Sequence, residues 1–414
     1  MGTIKTKFDG ALGLLDLHMT QPKLLVYSSL FPSDKRPNAG VFIRERMFRV
    51  GQQLPIIVVS PVPWFPLQGL IRIWKPHFRP QPNKFEIQQG VKVYFPRFLS
   101  IPGLFKSWDG FLMALGSLST LIKLKKEFNI IDAHFAYPDG YAATILGKWL
   151  KIPVTITLRG TEVPLSKMQG RKLRMLQAIS SAKRVFSVAN SLKQHVVNLG
   201  ADKNKIRVVG NGVDTIKFHP LDKIQERQLL NIPLQAKVLI TVGGLVERKG
   251  FHRVIEVLPE LVKAHPDFIY LIVGGESAEG NIKEQLVKQV KDLKLEHNVR
   301  FLGALKSDEL KKPLSCADVF VLATANEGWA NVFLEAMACG LPVVTTDVGG
   351  NREVVNNNAL GSVVPFADKQ ALLTALLEAL EKVWDKEEIV RYAQDNEWDT
   401  RVTILVDEFK KIVH

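Results

Sequence analysis

The sequence predicts an α/β chain built as two doubly wound parallel-sheet domains in tandem. Three observations carry this. Short β-branched runs alternate with helical patterns from about residue 129 to 208, and the same alternation restarts at Lys237; units of that length form parallel sheets with helices on both faces. A turn-rich stretch, Asn211-Gly212-Val213-Asp214 followed by Phe218-His219-Pro220, separates the two series. The 414 residues suffice for two or three domains with separate cores, and 46% hydrophobic with 23% charged residues is the balance of a folded globular chain.

In chain order, Leu24 to Leu30 reads as a strand, FPSDKRPNAG as a loop, and the stretch from Val41 as a helix. Gly40 closes that loop, where a glycine lets backbone N–H groups approach a ligand at the helix start. Taken alone it also reads as an ordinary turn residue. Ile56 to Ser60 is a second strand. From Pro61 to about Trp108 the sequence reads as a long irregular region, basic, aromatic and proline-rich. Trp64, Phe65, Trp74 and Phe78 interleave there with Arg72, Lys75 and Arg79, and Phe105, Lys106 and Trp108 continue the theme. Such a mixture suits a membrane interface or stacking on nucleic acid, and equally a core under long loops with solvated cations.

The regular part then begins: strand Asn129–His134, a helix from Asp139, strand Val154–Leu158, a helix near Lys172–Ile179, strand Arg184–Val188, a helix from Ser191, and a strand from Ile206. Ligands of such sheets bind at the carboxyl ends of strands. His134, Arg159 to Glu162, and Asn190-Ser191 fall there, although a lone histidine after a strand is more often structural than catalytic.

The second series opens with strand KVLITVGG, residues 237–244. Glu247-Arg248-Lys249-Gly250 then leads into the helix FHRVIEVLPELVKA. Strand Phe268–Gly275, helix Glu284–Lys294, strand Val299–Gly303, a short helix at 308–313 and strand Asp318–Ala323 follow, and the chain ends in two helical patterns, the second containing Trp398. No dinucleotide fingerprint or P-loop is present. No two aspartates stand one residue apart and no Cys/His metal spacing occurs. Chemistry by organic side chains and backbone dipoles is therefore expected, with at most a loosely held ion and no dedicated metal site.

Charge is divided unevenly. Residues 1–212 carry 31 Lys and Arg against 11 Asp and Glu, a net of +20, and residues 213–414 carry 24 against 30, a net of −6. The first half is thus built to face something anionic: a phosphorylated substrate, an anionic leaflet or nucleic acid. Cys316 and Cys339 are the two cysteines, both in apolar contexts that favour packed, reduced thiols and a reducing compartment. No apolar run reaches the roughly 18 residues of a membrane span, and the opening MGTIKTKFDG lacks a secretory core. A cytoplasmic protein is expected. Met1-Gly2 with Thr6 formally fits a myristoylation pattern, but so short a match reads as coincidence.

The stretch most concentrated in chemistry is EGWANVFLEAMACGLPVVTTDVGG, Glu327 to Gly350. Glu327 stands at a strand tip, and Gly328 to Asn331 form a loop before the helix Val332–Ala338, which carries Glu335. The loop supplies amides and a positive helix end, while Arg248 and Lys249 at another helix entrance supply cations for a diphosphate. Glu335 can accept hydrogen bonds from ribose hydroxyls and Glu327 from a sugar. An isolated glutamate pair is usually solvated surface, but between a strand, a glycine and an apolar helix the functional reading prevails.

With EGWANVFLEAMACGLPVV, GGLVERKGF and FPSDKRPNAGVFIRE, the chain resembles the retaining glycosyltransferases of family 4, in the branch of teichuronic-acid and exopolysaccharide biosynthesis, from Lys23 to about Trp398. The resemblance implies the GT-B fold: a Rossmann-like acceptor-side domain over 1–212, a Rossmann-like donor-binding domain over 213–395, and a helix of about 396–414 crossing back onto the first. It implies transfer of a hexosyl group, with retention and without an obligatory metal, from a UDP-sugar or GDP-sugar to a lipid-linked or glycan acceptor in building the cell envelope. No cofactor beyond the donor is implied. It gives Glu327, Lys249 and His134 as catalytic. Gly40, Gly244, Arg248, Lys249, Leu305, Gly328, Trp329, Ala330, Asn331 and Glu335 would surround the donor: Glu335 at the ribose, Lys249 at the diphosphate, Gly40 bordering it from the first domain, and Leu305 near the base. Relatives commonly have arginine where this chain has Gly244, so Arg248 is expected to supply the charge. Arg159 stands where many relatives have histidine.

An anionic membrane surface at the inner leaflet fits the basic half as a further partner; nucleic acid is not expected. The rival readings are a GT-B sugar-nucleotide epimerase or phosphorylase, and a non-enzymatic nucleic-acid binder with a steep salt dependence. A glycosidase would need two carboxylates on opposite sides of a bond, which one loop and its following helix do not provide.

Overall fold

The computed structural model describes residues 21–37, 39–74, 78–277 and 279–413. The leader MGTIKTKFDG, its Met1-Gly2/Thr6 pattern and Lys75 lie outside the described residues.

Among the described residues of the first half there are ten strands: β1 (Leu24–Tyr27), β2 (Ile56–Val59), β3 (Val62–Trp64), β4 (Phe85–Gln88), β5 (Val91–Tyr94), β6 (Arg97–Leu99), β7 (Ile130–His134), β8 (Val154–Leu158), β9 (Arg184–Ser187) and β10 (Ile206–Val208). Eight make one sheet in the order β10-β9-β8-β7-β1-β2-β5-β4, parallel except for the hairpin partner β4, and β3 pairs with β6 in a separate parallel ribbon. The second sheet contains β11 (Val238–Val242), β12 (Ile269–Val273), β13 (Val299–Gly303), β14 (Val319–Leu322), β15 (Val343–Thr346) and β16 (Gly361–Val364), in the order β13-β12-β11-β14-β15-β16, all parallel. These are two Rossmann-like domains in the GT-B arrangement.

Alternate residues of each central strand feed separate cores, as strands covered on both faces require. Leu25 and Tyr27 pack with Met113, Leu121 and Leu146 from helices Asp109–Leu124 and Tyr141–Leu150. Leu24 and Val26 pack instead with Ile43 and Met47 from helix Val41–Gly51, and with Val402, Leu405 and Phe409 from helix Trp398–Val413. The last helix is therefore part of the first domain's core. Phe409 meets Phe186 edge-on at 5.7 Å, and Glu408 receives Arg184 at 2.8 Å. The chain passes between the domains twice, side by side: Val213 donates its N–H to the Asn396 carbonyl at 3.1 Å.

Residues 61–108 are not irregular. They hold β3 to β6 and the helix Gln68–Trp74. FEIQ and VKVY alternate inward and outward around the turn at Gln89-Gly90, both of positive φ, a short hairpin signal that the surrounding prolines obscure. Helix Asp109–Leu124, absent from the sequence reading, carries Gly110 and Gly116, which weaken its helical signature. The tail folds as three helices, Lys369–Glu381, Lys386–Asp395 and Trp398–Val413, rather than two, because Asp385 caps the middle one through Glu388 N–H at 3.0 Å. Both cysteines are free and buried. Among the described residues no helix is long and apolar enough to cross a membrane.

Candidate active site

In an open parallel sheet the crevice for a ligand opens where neighbouring strands send their chains to opposite faces. The strand orders put that point between β1 and β7 in the first sheet and between β11 and β14 in the second. The predicted residues collect at these two points. Gly40 follows β1 and His134 ends β7; Gly244, Arg248 and Lys249 follow β11, and Glu327 follows β14.

Gly40 has φ +68, and a Cβ there would lie 2.2 Å from the Leu30 carbonyl oxygen. Only glycine lets helix Val41–Gly51 begin so close to the end of β1. Its first N–H groups have no side-chain cap.

On the second domain the Glu327 Oε1 atom takes Lys249 Nζ at 2.5 Å, an Arg248 Nη at 3.1 Å and Thr324 Oγ1 at 3.4 Å. The carboxylate is almost buried, with 10% of its side chain exposed. Arg248 is a bridge: its Nε and second Nη hold Glu279 at 2.5 and 2.8 Å. Glu279 is fixed by its N–H to Ser277 Oγ at 3.1 Å, and a Cβ on Gly244 would stand 3.0 Å from the Ser277 Cβ. Arg248 and Gly244 thus address the same loop.

The helix that carries Glu335 runs Asn331–Ala338 and starts after Ala330 with no side-chain cap, leaving its N–H dipoles for a ligand. Glu335 is half-buried and has no hydrogen bond or ion pair among the described residues. Burial pushes its pKa from 4.5 up to about 7, against the pull of Lys217 and with a smaller push from Glu45 across the cleft. The Trp329 ring packs against the cores of both domains, and its buried indole Nε1 has no partner. Leu305 lies after β13 and lines a cavity of about 290 Å³ with Leu302, Leu229 and Pro313.

The first domain contributes a buried polar chain that sequence reasoning only touched. His134 is fully buried. Its Nδ1 accepts from Arg159 Nε at 3.1 Å, and its Nε2 stands 3.4 Å from Asp132 Oδ2, without the alignment of a hydrogen bond. Burial and the Arg159 charge lower its pKa to about 4, so the imidazole is neutral at neutral pH. Arg159 stacks over the Phe42 ring at 5.1 Å and reaches Asn211 Oδ1 at 3.4 Å. Glu162 accepts the N–H groups of Ala136, Arg159 and Gly160, fixing the loop after β8. At the β1 end, the buried Asp139 holds Ser29 by its N–H and by its hydroxyl, and burial lifts its pKa to about 7.

The two halves touch. Asn211 Nδ2 donates to Asn331 Oδ1 at 2.8 Å, and Glu353 accepts the N–H groups of Asn190 and Ser191 at 2.6 and 2.7 Å across the cleft. A Cβ on Gly328 would lie 2.2 Å from the Arg159 carbonyl oxygen, and one on Gly160 would lie 2.8 Å from Gly328 Cα. Asn211, Glu353 and Asp139 were not read from the sequence as site residues, because their partners come from distant segments.

Two family models match the chain: Glycosyltransferase Family 4 over residues 71–217 and Glycosyl transferases group 1 over residues 222–396. The chain is a glycosyltransferase. A protein of Bacillus subtilis named for teichuronic acid biosynthesis, the glycosyltransferase TuaC, is 27% identical over 373 residues, covering 88% of this chain and 91% of its own. The amylovoran biosynthesis glycosyltransferase AmsK of Erwinia amylovora is 27% identical over 70% of this chain and 72% of its own. Among solved structures, Anabaena HepE in complex with UDP superposes with a TM-score of 0.71 at 18% identity, covering 94% of this chain and all of that one. Sucrose-phosphate synthase from Thermosynechococcus elongatus gives 0.77 at 17% identity, over 94% and 98%. These two likenesses bear on the fold. In this glycosyltransferase the GT-B cleft is the space between the two switch points described above.

Proposed function

We propose that this glycosyltransferase moves a hexosyl group from a UDP-sugar or GDP-sugar to a lipid-linked or glycan acceptor in cell-envelope polysaccharide biosynthesis, with retained configuration. One observation carries the reading most: Glu335, a half-buried carboxylate with no partner among the described residues, sits on a helix whose uncapped start adjoins Glu327, Lys249 and Arg248. That set fits a ribose, a diphosphate and a sugar in turn. The teichuronic acid and amylovoran names of two relatives supply the polysaccharide context.

In the proposed reaction the bond from sugar C1 to the diphosphate oxygen breaks, and the acceptor oxygen bonds to C1 on the same face. The acceptor proton passes to the departing phosphate oxygen, so no protein base is required and no metal is invoked. Lys249, Arg248 and the helix start of Asn331 would stabilise the charge growing on the diphosphate. Glu327 would orient Lys249 and offer Oε2 to sugar hydroxyls. His134, neutral and buried, would act by holding Arg159 at the acceptor side. The enzyme is placed in the cytoplasm, working at the inner face of the membrane, where a lipid-linked acceptor would be available.

A thermal-shift screen of nucleoside diphosphate sugars tests the donor side. One sugar nucleotide should raise the melting temperature selectively, and hydrolysis or epimerisation of that compound without any acceptor would replace the transferase reading by the epimerase or phosphorylase one.

A further inference from the structure

The segments that follow β2 and β5 are unlike the rest of the surface. Both strands run parallel to β1 and leave the sheet at its carboxyl end, the end that carries Gly40 and His134. The chain then forms β3 and helix Gln68–Trp74 after one, and β6 and the loop to Trp108 after the other. These pieces are fastened to each other. Val62, Pro63 and Trp64 pair with Arg97, Phe98 and Leu99. Arg79 donates to the Ser100 carbonyl and Arg72 to the Phe78 and Arg79 carbonyls at 3.1 and 2.9 Å.

What they present outward is apolar. Leu67 is 76% exposed, Ile73 69% and Trp74 78% on one piece, and Leu104 56%, Phe105 68% and Trp108 56% on the other. Single exposed leucines are ordinary; large apolar and aromatic side chains gathered on adjoining segments mark an interaction surface. A Cβ on Gly170 would lie 2.7 Å from Ser107 Oγ, so the start of helix Gln169–Ser181 borders the loop and adds exposed Met168 and Leu173.

The charge beside this surface selects its occupant. Residues 61–108 hold seven Lys and Arg against the single acid Glu86, with Lys92 paired to Glu127 and Lys106 to Asp109, and residues 166–174 hold Lys167, Arg171, Lys172 and Arg174 with no acid. Aromatic rings and leucines flanked by cations match the boundary of an anionic bilayer, where the rings enter the headgroup layer and the cations meet lipid phosphates.

We propose that this face of the first domain docks on an anionic lipid bilayer and sets the mouth of the cleft at the headgroups. Delivery of a lipid-linked acceptor to that mouth rests on the function proposed above; the docking itself does not.

The test uses the full chain, sedimented with vesicles of phosphatidylcholine alone and of phosphatidylcholine with phosphatidylglycerol, while tryptophan emission is followed. Binding to the anionic vesicles only, with a blue shift and release by added salt, is the expected result. The double variant Trp74→Ser/Phe105→Ser should weaken partitioning about tenfold or more, and Lys167→Glu/Lys172→Glu should weaken it while leaving the melting temperature unchanged. Equal binding to neutral vesicles, or none to either, overturns the proposal. So does light scattering that shows a dimer dissociated by the Trp74→Ser/Phe105→Ser change, since a second copy would then cover the face. Preference for an RNA oligonucleotide over the anionic vesicles overturns it as well. If no sugar nucleotide stabilises the protein but vesicle binding persists, the catalytic reading fails and the docking surface stands.

Discussion

Lys249 Nζ lies 2.5 Å from Glu327 Oε1, and Arg248 approaches the same oxygen at 3.1 Å. The ammonium that a diphosphate would need is paired with a carboxylate, and both side chains are little exposed to solvent. On the proposed function a diphosphate entering the cleft would share Lys249 with Glu327, and Arg248 would keep the carboxylate satisfied. Lys249→Ala is therefore expected to lower kcat about 100-fold or more, the size of loss seen when a preorganised electrostatic group is removed. The melting temperature should move little, because Glu327 retains Arg248. Turnover assays beside thermal unfolding make the comparison, and an unchanged kcat would remove Lys249 from the mechanism.

Glu335 should give donor binding a pH dependence of predictable sign. Its carboxyl is raised from 4.5 to about 7, so its contribution to folded stability is fully present below about 4.5 and is lost as pH rises through about 7. Ribose hydroxyls donate to the ionised form. Affinity for a nucleoside diphosphate sugar, which has no phosphate titrating in this range, should rise from about pH 6 to about pH 8, by at most tenfold per pH unit, and then level. Calorimetry on Glu335→Gln should show weaker and nearly pH-independent binding. A variant with wild-type affinity at both pH values would count against the ribose assignment.

Gly328 tests closure. A methyl group there would collide with the Arg159 carbonyl oxygen, three residues before Asn331 meets Asn211, so it should hold the two domains apart. Gly328→Ala should fold normally, show a larger radius of gyration in small-angle scattering with donor present, and lose about 10- to 100-fold in kcat/KM. An unaltered scattering curve with unaltered kinetics would mean that the contact is not needed for catalysis.

The division of the chain into two doubly wound halves was legible because buried parallel strands such as IYLIV and VFVL are continuous apolar runs between helical patterns, a signal that survives without knowledge of contacts. The Glu327–Glu335 region was legible for the same reason, since strand, loop and helix are adjacent in sequence. Residues 61–108 were not: their hairpin has exposed residues on one side, and prolines hide its alternation. The pairing of Asn211 with Asn331, and of Glu353 with the N–H groups of Asn190 and Ser191, depends on how one domain meets the other, which no local pattern encodes. The burial of His134 was illegible too, because Arg159 reaches it from the loop after β8 and is itself stacked on Phe42 from helix Val41–Gly51.

Phe409 provides a stability prediction remote from the cleft. It is fully buried and stacks edge-on against Phe186 in the core shared by β1, helix Val41–Gly51 and helix Trp398–Val413. Phe409→Ala should cost about 3–5 kcal/mol, read as a lower denaturant midpoint for the transition of the first domain. Loss of the second domain's transition alone would contradict the packing.

That shared core also sets an order of events at the ribosome. The strands of the first domain are synthesised first, yet one face of their sheet is covered only in part, by helix Val41–Gly51, until residues 398–413 emerge. Domains tend to fold as units in the order of their synthesis, but here the second domain, whose cores draw on residues 213–393, is complete before the first. A chain ending after residue 395 should hold a finished second domain beside a half-covered partner, which makes the sixteen-residue helix Trp398–Val413 the piece that completes the first domain.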